Sequence, residues 1–420
     1  MHERALRELR LALIVQSYLL DWLGLLVRWL HIVAGIAWIG ASFYFVWLDN
    51  HLLPPLPDSA GARRDVAGEL WAVHGGGFYH SQKYRVAPGL LPATLHWFYW
   101  EAYTTWLSGF GLLCLLYFWR AQAYLIDPGV AALTRPTAIA IALGALVGSW
   151  FVYDGACRSP LGRKPRALAV ALGIAFTAEA WGLCQLFSGR GAFIVFGSAL
   201  GTIMVANVLF VIIPGQRELV RAKREGREPD PAPGLRAKQR SVHNTYFTLP
   251  VLFTMISNHY AMTYGGRFNW LVLVTLCFAG ASIRAWFVAR HRASQRGGQT
   301  PVLPALLAAV AFGSVVIALA PMRRPQLAAA GDGARAIEIA DVRRIIGARC
   351  TPCHAQTPTQ PGFSAPPNGL VLERLDQILA HRPEVQQQVA TRAMPLGNLT
   401  GITERERGQL LAWLTQTQAR

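Results

Sequence analysis

The sequence predicts an all-α protein, an eight-span transmembrane helical bundle followed by a small soluble helical domain. Three observations carry this expectation. Of 420 residues, 53% are hydrophobic and only 15% charged, which is too apolar for a soluble chain of this length. Eight apolar runs, near 23–48, 94–119, 136–153, 167–187, 192–213, 244–264, 268–289 and 301–321, approach or exceed the roughly 20 residues that cross the hydrocarbon core. After the last of them the composition turns polar.

Helix is the backbone these runs call for, because a lipid-buried segment must satisfy its own N–H and C=O groups and none of the runs alternates like a strand. Residues 1–21, with Arg4, Arg7 and Arg10 ahead of a short apolar stretch and no small-residue cleavage site, read as a retained amphipathic lead-in. Residues 22–321 then form the membrane domain, 322–336 an Ala- and Gly-containing linker, and 337–420 the soluble domain. That domain opens on a helix at Ile337–Arg349. It closes on one whose Thr403 and Glu406 have capping-box spacing before Leu410, Leu411 and Leu414. No internal repeat suggests a transporter built of two halves.

The net charge of +17 is a topological signal. Loops after odd-numbered spans hold 19 Lys and Arg residues, against 4 in the loops after even-numbered spans, so the odd loops face the cytoplasm. Both termini and the soluble domain then lie in the periplasm of a bacterial inner membrane. Membrane lipid is the partner this implies, and nucleic acid is not.

Cys350-Thr-Pro-Cys353-His354 is the haem c attachment pattern: two thiols for the haem vinyl groups and an imidazole to reach the iron. Met394 is the only methionine after it and is the expected sixth ligand. The remaining cysteines, Cys114, Cys157, Cys184 and Cys277, are scattered through or beside apolar runs and read as packing residues. The expected compartment is also the one in which haem c is attached.

Ionisable side chains within spans are costly and by default suggest a site. The candidates are Arg28, His31, His96, Glu101, Glu179, His243, Asn258, His259 and Arg284. Sorted by depth they form two groups. His31 and His259 lie in the outer half and are candidate ligands of an intramembrane haem b. His96, Glu101, His243 and Arg284 lie near the inner ends and, covered by His74 and His80 of the first loop, are candidates to bind an anionic substrate and take its protons. The alternative is structural: interfacial histidines bonded to backbone carbonyls, and ion pairing or snorkelling for Glu179 and Arg28.

Several stretches resemble one family, the bacterial membrane-bound, cytochrome c-linked urate oxidases (urate hydroxylases). They are His31-Ile-Val-Ala-Gly-Ile-Ala-Trp-Ile-Gly40, Trp71-Ala-Val-His-Gly-Gly-Gly-Phe78, Leu95-His-Trp-Phe-Tyr-Trp-Glu-Ala-Tyr103, and His243-Asn-Thr-Tyr-Phe-Thr-Leu-Pro250 running on to Met255-Ile-Ser-Asn-His259. The resemblance implies oxidation of urate to 5-hydroxyisourate with water as oxygen source. The electrons leave through haem c to an acceptor such as a soluble cytochrome c or a terminal oxidase, without hydrogen peroxide. It does not assign the residues that touch urate. The residues by themselves leave two alternatives open, a cytochrome-bearing dehydrogenase of quinol or another small reductant, and a non-catalytic electron-transfer module.

Overall fold

A computed structural model describes residues 2–57, 66–295, 298–320, 338–361, 363 and 365–416; the expected linker, 322–336, lies outside them. Helix α1 (His2–His51) runs unbroken from the expected lead-in through the first span. A β-hairpin follows, β1 (Val66–His74) and β2 (Gly77–Tyr84), antiparallel with His74 opposite Gly77. The all-α expectation is therefore amended. The reason is local: Gly75 and Gly76 take φ of +55° and +81°, the left-handed pair that a two-residue hairpin turn requires.

Next come α2 (Trp100–Leu112), the short α3 (Ala121–Tyr124), α4 (Arg135–Arg158) and α5 (Pro165–Leu186). They are followed by α6 (Gly189–Asn207), α7 (Ile213–Arg224), α8 (Pro231–Ile256), α9 (Ala261–Tyr264), α10 (Asn269–Gln295) and α11 (Leu303–Leu319). Two π-helical segments are built in. Leu113–Phe118 extends α2, with the Trp119 N–H donating to the Cys114 carbonyl at 2.8 Å, and Val208–Ile212 joins α6 to α7. Five described stretches are long and apolar enough to cross a membrane: Tyr18–His51, Arg135–Arg158, Pro165–Leu186, Gly189–Arg224 and Asn269–His291. Helix α11 is a shorter apolar one.

Two expected spans differ from their apolar runs. The second is helical only from Trp100. The sixth breaks at a 3-10 turn, Ser257–His259, where the Ser257 hydroxyl donates to the Thr254 carbonyl at 2.6 Å and so competes with the helical ladder.

Helix α6 is the centre of the bundle: 61% of its membrane-length window is buried, against 11% for α1. Gly197 lets it close on α8, since a Cβ there would overlap the Thr254 hydroxyl. Helices α4, α5 and α8 surround α6, α10 packs on α8, α5 and α11, and α1 lies on α2 at the periphery.

The C-terminal domain contains α12 (Ile339–Arg349), α13 (Thr351–His354), α14 (Leu375–Ala380), α15 (Arg382–Ala390) and α16 (Glu404–Gln416). Its core is its own, built on Val342, Ile345, Ile346, Ile378, Leu410 and Leu414. The capping box forms: Thr403 Oγ1 accepts from the Glu406 N–H at 3.2 Å, and Glu406 Oε2 accepts from the Thr403 N–H at 2.9 Å. Glu406 also pairs with Arg349 at 3.1 Å, tying the first helix to the last.

This domain docks on one end of the bundle. Its Leu396–Asn398 turn packs on α3, so closely that a Cβ on Gly397 would lie 2.7 Å from the carbonyl oxygens of both Gln122 and Ala123. A Cβ on Gly265, on the bundle side, would overlap the carbonyl oxygen of Thr391. Glycine on each partner makes the approach possible.

Candidate functional site

Within the docked domain, Cys350 and Cys353 are free thiols, the first capping the one-turn helix α13 and the second within it. Burial, and then the neighbouring Cys353 thiol, pushes Cys350 up to about 11, and burial raises Cys353 as well. Both thiols keep their protons at neutral pH. His354 Nδ1 donates to the Leu370 carbonyl at 2.9 Å, which fixes the tautomer and leaves Nε2 to bind a metal. Met394 is held by its backbone: its N–H donates to the Gln388 carbonyl at 3.1 Å and its carbonyl accepts from buried Arg407 at 2.8 Å. Two thiols, a committed imidazole and a thioether suit a covalently attached haem. Met394 is also three residues from Gly397, so the loop that carries it is the loop that meets the bundle.

Beneath that loop lies an aromatic cage. The Ser188 hydroxyl caps α6 by accepting from the Gly191 N–H and also donates to the Tyr124 carbonyl at 2.9 Å, so α3 and the start of α6 are tied together. Arg190 lies over the rings of Tyr124 and Tyr264, 5.7 Å from each centroid, and donates to the Tyr264 hydroxyl at 3.0 Å. Tyr117 packs edge-on to Tyr124 at 5.8 Å and donates to Asn258 Oδ1 at 3.0 Å. The cage thus combines an arginine, three tyrosines and an amide.

A second polar cluster lies toward the other end, among α4, α6 and α8. The Tyr153 hydroxyl accepts from Asn207 at 3.1 Å and donates to His243 Nδ1 at 2.7 Å. Asn207 also donates to Asn244 at 2.8 Å. Arg240, 4% exposed, pairs with Asp154 at 2.7 Å and stacks over Tyr153 at 4.9 Å. Arg158 meets the other oxygen of Asp154 at 2.6 Å. Arg240 Nη1 and Asn207 Oδ1 are buried without partners.

The other sequence candidates are dispersed. His31 Nδ1 donates to the Thr105 carbonyl at 2.9 Å and Gly109 passes beside its ring, where a Cβ would come within 2.8 Å; it clamps α1 to α2 with Nε2 uncommitted. His259 is exposed on the Ser257–His259 turn, which packs on α6, α8 and α9, whereas His31 packs on α2. His96 is exposed and packs on Phe98 at 4.6 Å, and Glu101 is half-buried. Arg284 lies over Phe43 at 4.1 Å. His74 is exposed at the hairpin end, while His80 stacks on Trp71 at 4.1 Å and meets Glu69 at 3.1 Å. Glu179 accepts from the Ser149 hydroxyl at 2.6 Å in place of an ion pair. Exposed Arg28 lines a crevice with Asp21 and Arg120.

A family model described as urate oxidase N-terminal matches residues 17–319. The chain belongs to that family. No curated protein and no solved structure matches it. The urate oxidase N-terminal region ends at the last residue of α11. Both polar clusters therefore fall inside it and the Cys350–His354 motif falls outside.

Sequence reasoning missed Arg190, Tyr153, Asn207 and Arg240. Asn207 is a lone amide inside an apolar run and could have been found by the same depth sorting that picked the histidines. Arg190, in the first turn of α6, falls in so short a gap between apolar runs that its charge carries only a topological signal.

Proposed function

We propose that the protein is a multi-pass inner-membrane urate hydroxylase of eight spans. In this reading it converts urate and water to 5-hydroxyisourate, releasing two protons and two electrons, and the electrons leave through its own haem c. The observation that carries it is the joining, in one chain, of a urate oxidase N-terminal region to a docked domain with free Cys350 and Cys353 and a His354 imidazole held with Nε2 open. When bound, haem c supplies a one-electron acceptor, so an external acceptor such as a soluble cytochrome c or a terminal oxidase must empty it between the two steps. His354 and Met394 are the residues that would hold its iron. The Arg407 guanidinium, bonded to the carbonyls of Val389 and Met394 at 2.9 and 2.8 Å, holds the methionine loop in place. The bundle orients urate and takes up its protons.

The test is anaerobic. Purified holoprotein is mixed with urate and the reduced haem c band is followed; urate must reduce it, with 5-hydroxyisourate formed. If a quinol reduces the haem while urate leaves it oxidised, the reading is wrong. A pyridine haemochrome spectrum on the same sample decides whether a haem b, for which His31 and His259 are the proposed ligands, accompanies haem c.

A further inference from the structure

The site that receives the substrate follows from charge balance and proximity. Of the arginines within the bundle, Arg240 already faces Asp154 at 2.7 Å in a sealed cluster. That cluster lies about 22 Å from Asn258, counting the rise along α8 from His243. Arg284, buried over Phe43 with its Nε unpartnered, also lacks a carboxylate among the described residues but lies about 22 Å along α10 from Asn269, whose amide bonds the Tyr264 carbonyl. Arg190 alone of the three is both unpaired and beside the docked domain. It is half-buried, and among the described residues it has no carboxylate partner. Among the described residues only one of its five N–H donors is engaged, by the Tyr264 hydroxyl. A guanidinium taken partly out of water and lacking an anion is costly, and the surrounding ring faces recover part of that cost.

The cage has the chemistry of a receptor for a flat, electron-rich anion. Tyr117 and Tyr264 are buried and, with half-buried Tyr124, wall the site with aromatic edges, Arg190 over the Tyr124 and Tyr264 faces brings a planar donor fork, and the Asn258 amide, whose oxygen accepts from Tyr117, has no partner for its nitrogen among the described residues. Tyr264 is fixed from behind, its carbonyl accepting from the Asn269 amide at 3.0 Å. The cage also adjoins the seat of the methionine loop, since Tyr124 ends the helix on which Gly397 rests.

We propose that the Tyr117–Tyr124–Tyr264 cage around Arg190, with Asn258 at its edge, binds the anionic purine substrate directly beneath the docked C-terminal domain. This rests on the urate reading above.

The experiment is equilibrium binding of radiolabelled urate to oxidised holoprotein under anaerobic conditions, so that binding is read without turnover. Arg190→Ala is expected to weaken binding at least tenfold, the loss of a charge-assisted, two-point contact, and Arg190→Lys to recover only part of it. The isosteric Asn258→Asp, which places a like charge beside the ligand, is also expected to weaken binding and serves if Arg190→Ala fails to fold. A thermal unfolding midpoint in detergent close to that of the wild type reports intact folding of the bundle in each variant. Wild-type affinity in well-folded Arg190→Ala or Asn258→Asp overturns this inference and leaves the urate reading standing. Wild-type protein that neither binds urate nor is reduced by it overturns both.

Discussion

Gly265→Ala isolates the contact between the two domains. Gly265 has φ −80° and ψ −11°, an ordinary backbone conformation, so alanine there adds no strain of its own. Its Cβ, however, would overlap the Thr391 carbonyl oxygen and crowd that of Ala261 at 3.0 Å. Ordinary contact begins near 3.4 Å, so the docked domain must retreat by on the order of 1–2 Å, an overpacking that costs about 1–3 kcal/mol. With 1.4 kcal/mol per factor of ten, the docked population falls roughly 5- to 150-fold relative to the undocked. Gly266→Ala is the control, because a Cβ there meets nothing within 4 Å. The assay is hydrogen exchange of peptides covering residues 119–128 and 392–400, read beside single-turnover reduction of haem c by urate. Gly265→Ala should expose both peptides and slow the reduction, while Gly266→Ala should do neither. If the two variants behave alike, glycine at 265 is not what permits docking.

Three further outcomes follow from the geometry. Asp154→Asn strips the charge that faces buried Arg240 and should cost about 3–5 kcal/mol, whereas Asp154→Asn with Arg240→Met should recover most of it; thermal unfolding in detergent measures both. Burial alone would raise Glu406, but the Thr403 N–H and hydroxyl together with Arg349 outweigh it and hold the carboxyl below its usual 4.5. Its contribution is present above that value and lost as pH falls through the lower folded value, so Glu406→Gln should flatten the acid side of the haem-domain melting curve, followed in the Soret band. Cys350→Ser combined with Cys353→Ser should abolish haem staining on denaturing gels, and retention of the stain would show that these thiols do not carry the haem.

Apolar runs located the helices because lipid demands length and composition that a sequence displays directly. Where polar residues intrude, the reading slipped: Ser257-Asn258-His259 ends α8, and the aromatic stretch before Trp100 is not helical. The β-hairpin is legible in Gly75-Gly76 between Val-, Trp- and Tyr-bearing segments, though hydropathy alone leaves it within the first loop. The capping box at Thr403 and Glu406 was legible because it is local. The tyrosine cage was not. It joins positions 74 and 141 residues apart, and tyrosines near helix ends look like any interfacial belt.

The π-helical segment Leu113–Phe118 has a genetic consequence. A π turn accommodates one residue more than the α-helix it interrupts, so deleting Leu115 can restore plain α geometry without breaking the helix. A deletion in a regular α-helix would turn everything on one side of it by about 100° relative to the other, but here the surplus residue of the π turn absorbs the loss and the two flanking segments keep their mutual phase. One codon can therefore be lost from this segment while the cage-side and bundle-side faces of the helix stay in register, a tolerance that the neighbouring α-helical turns do not have.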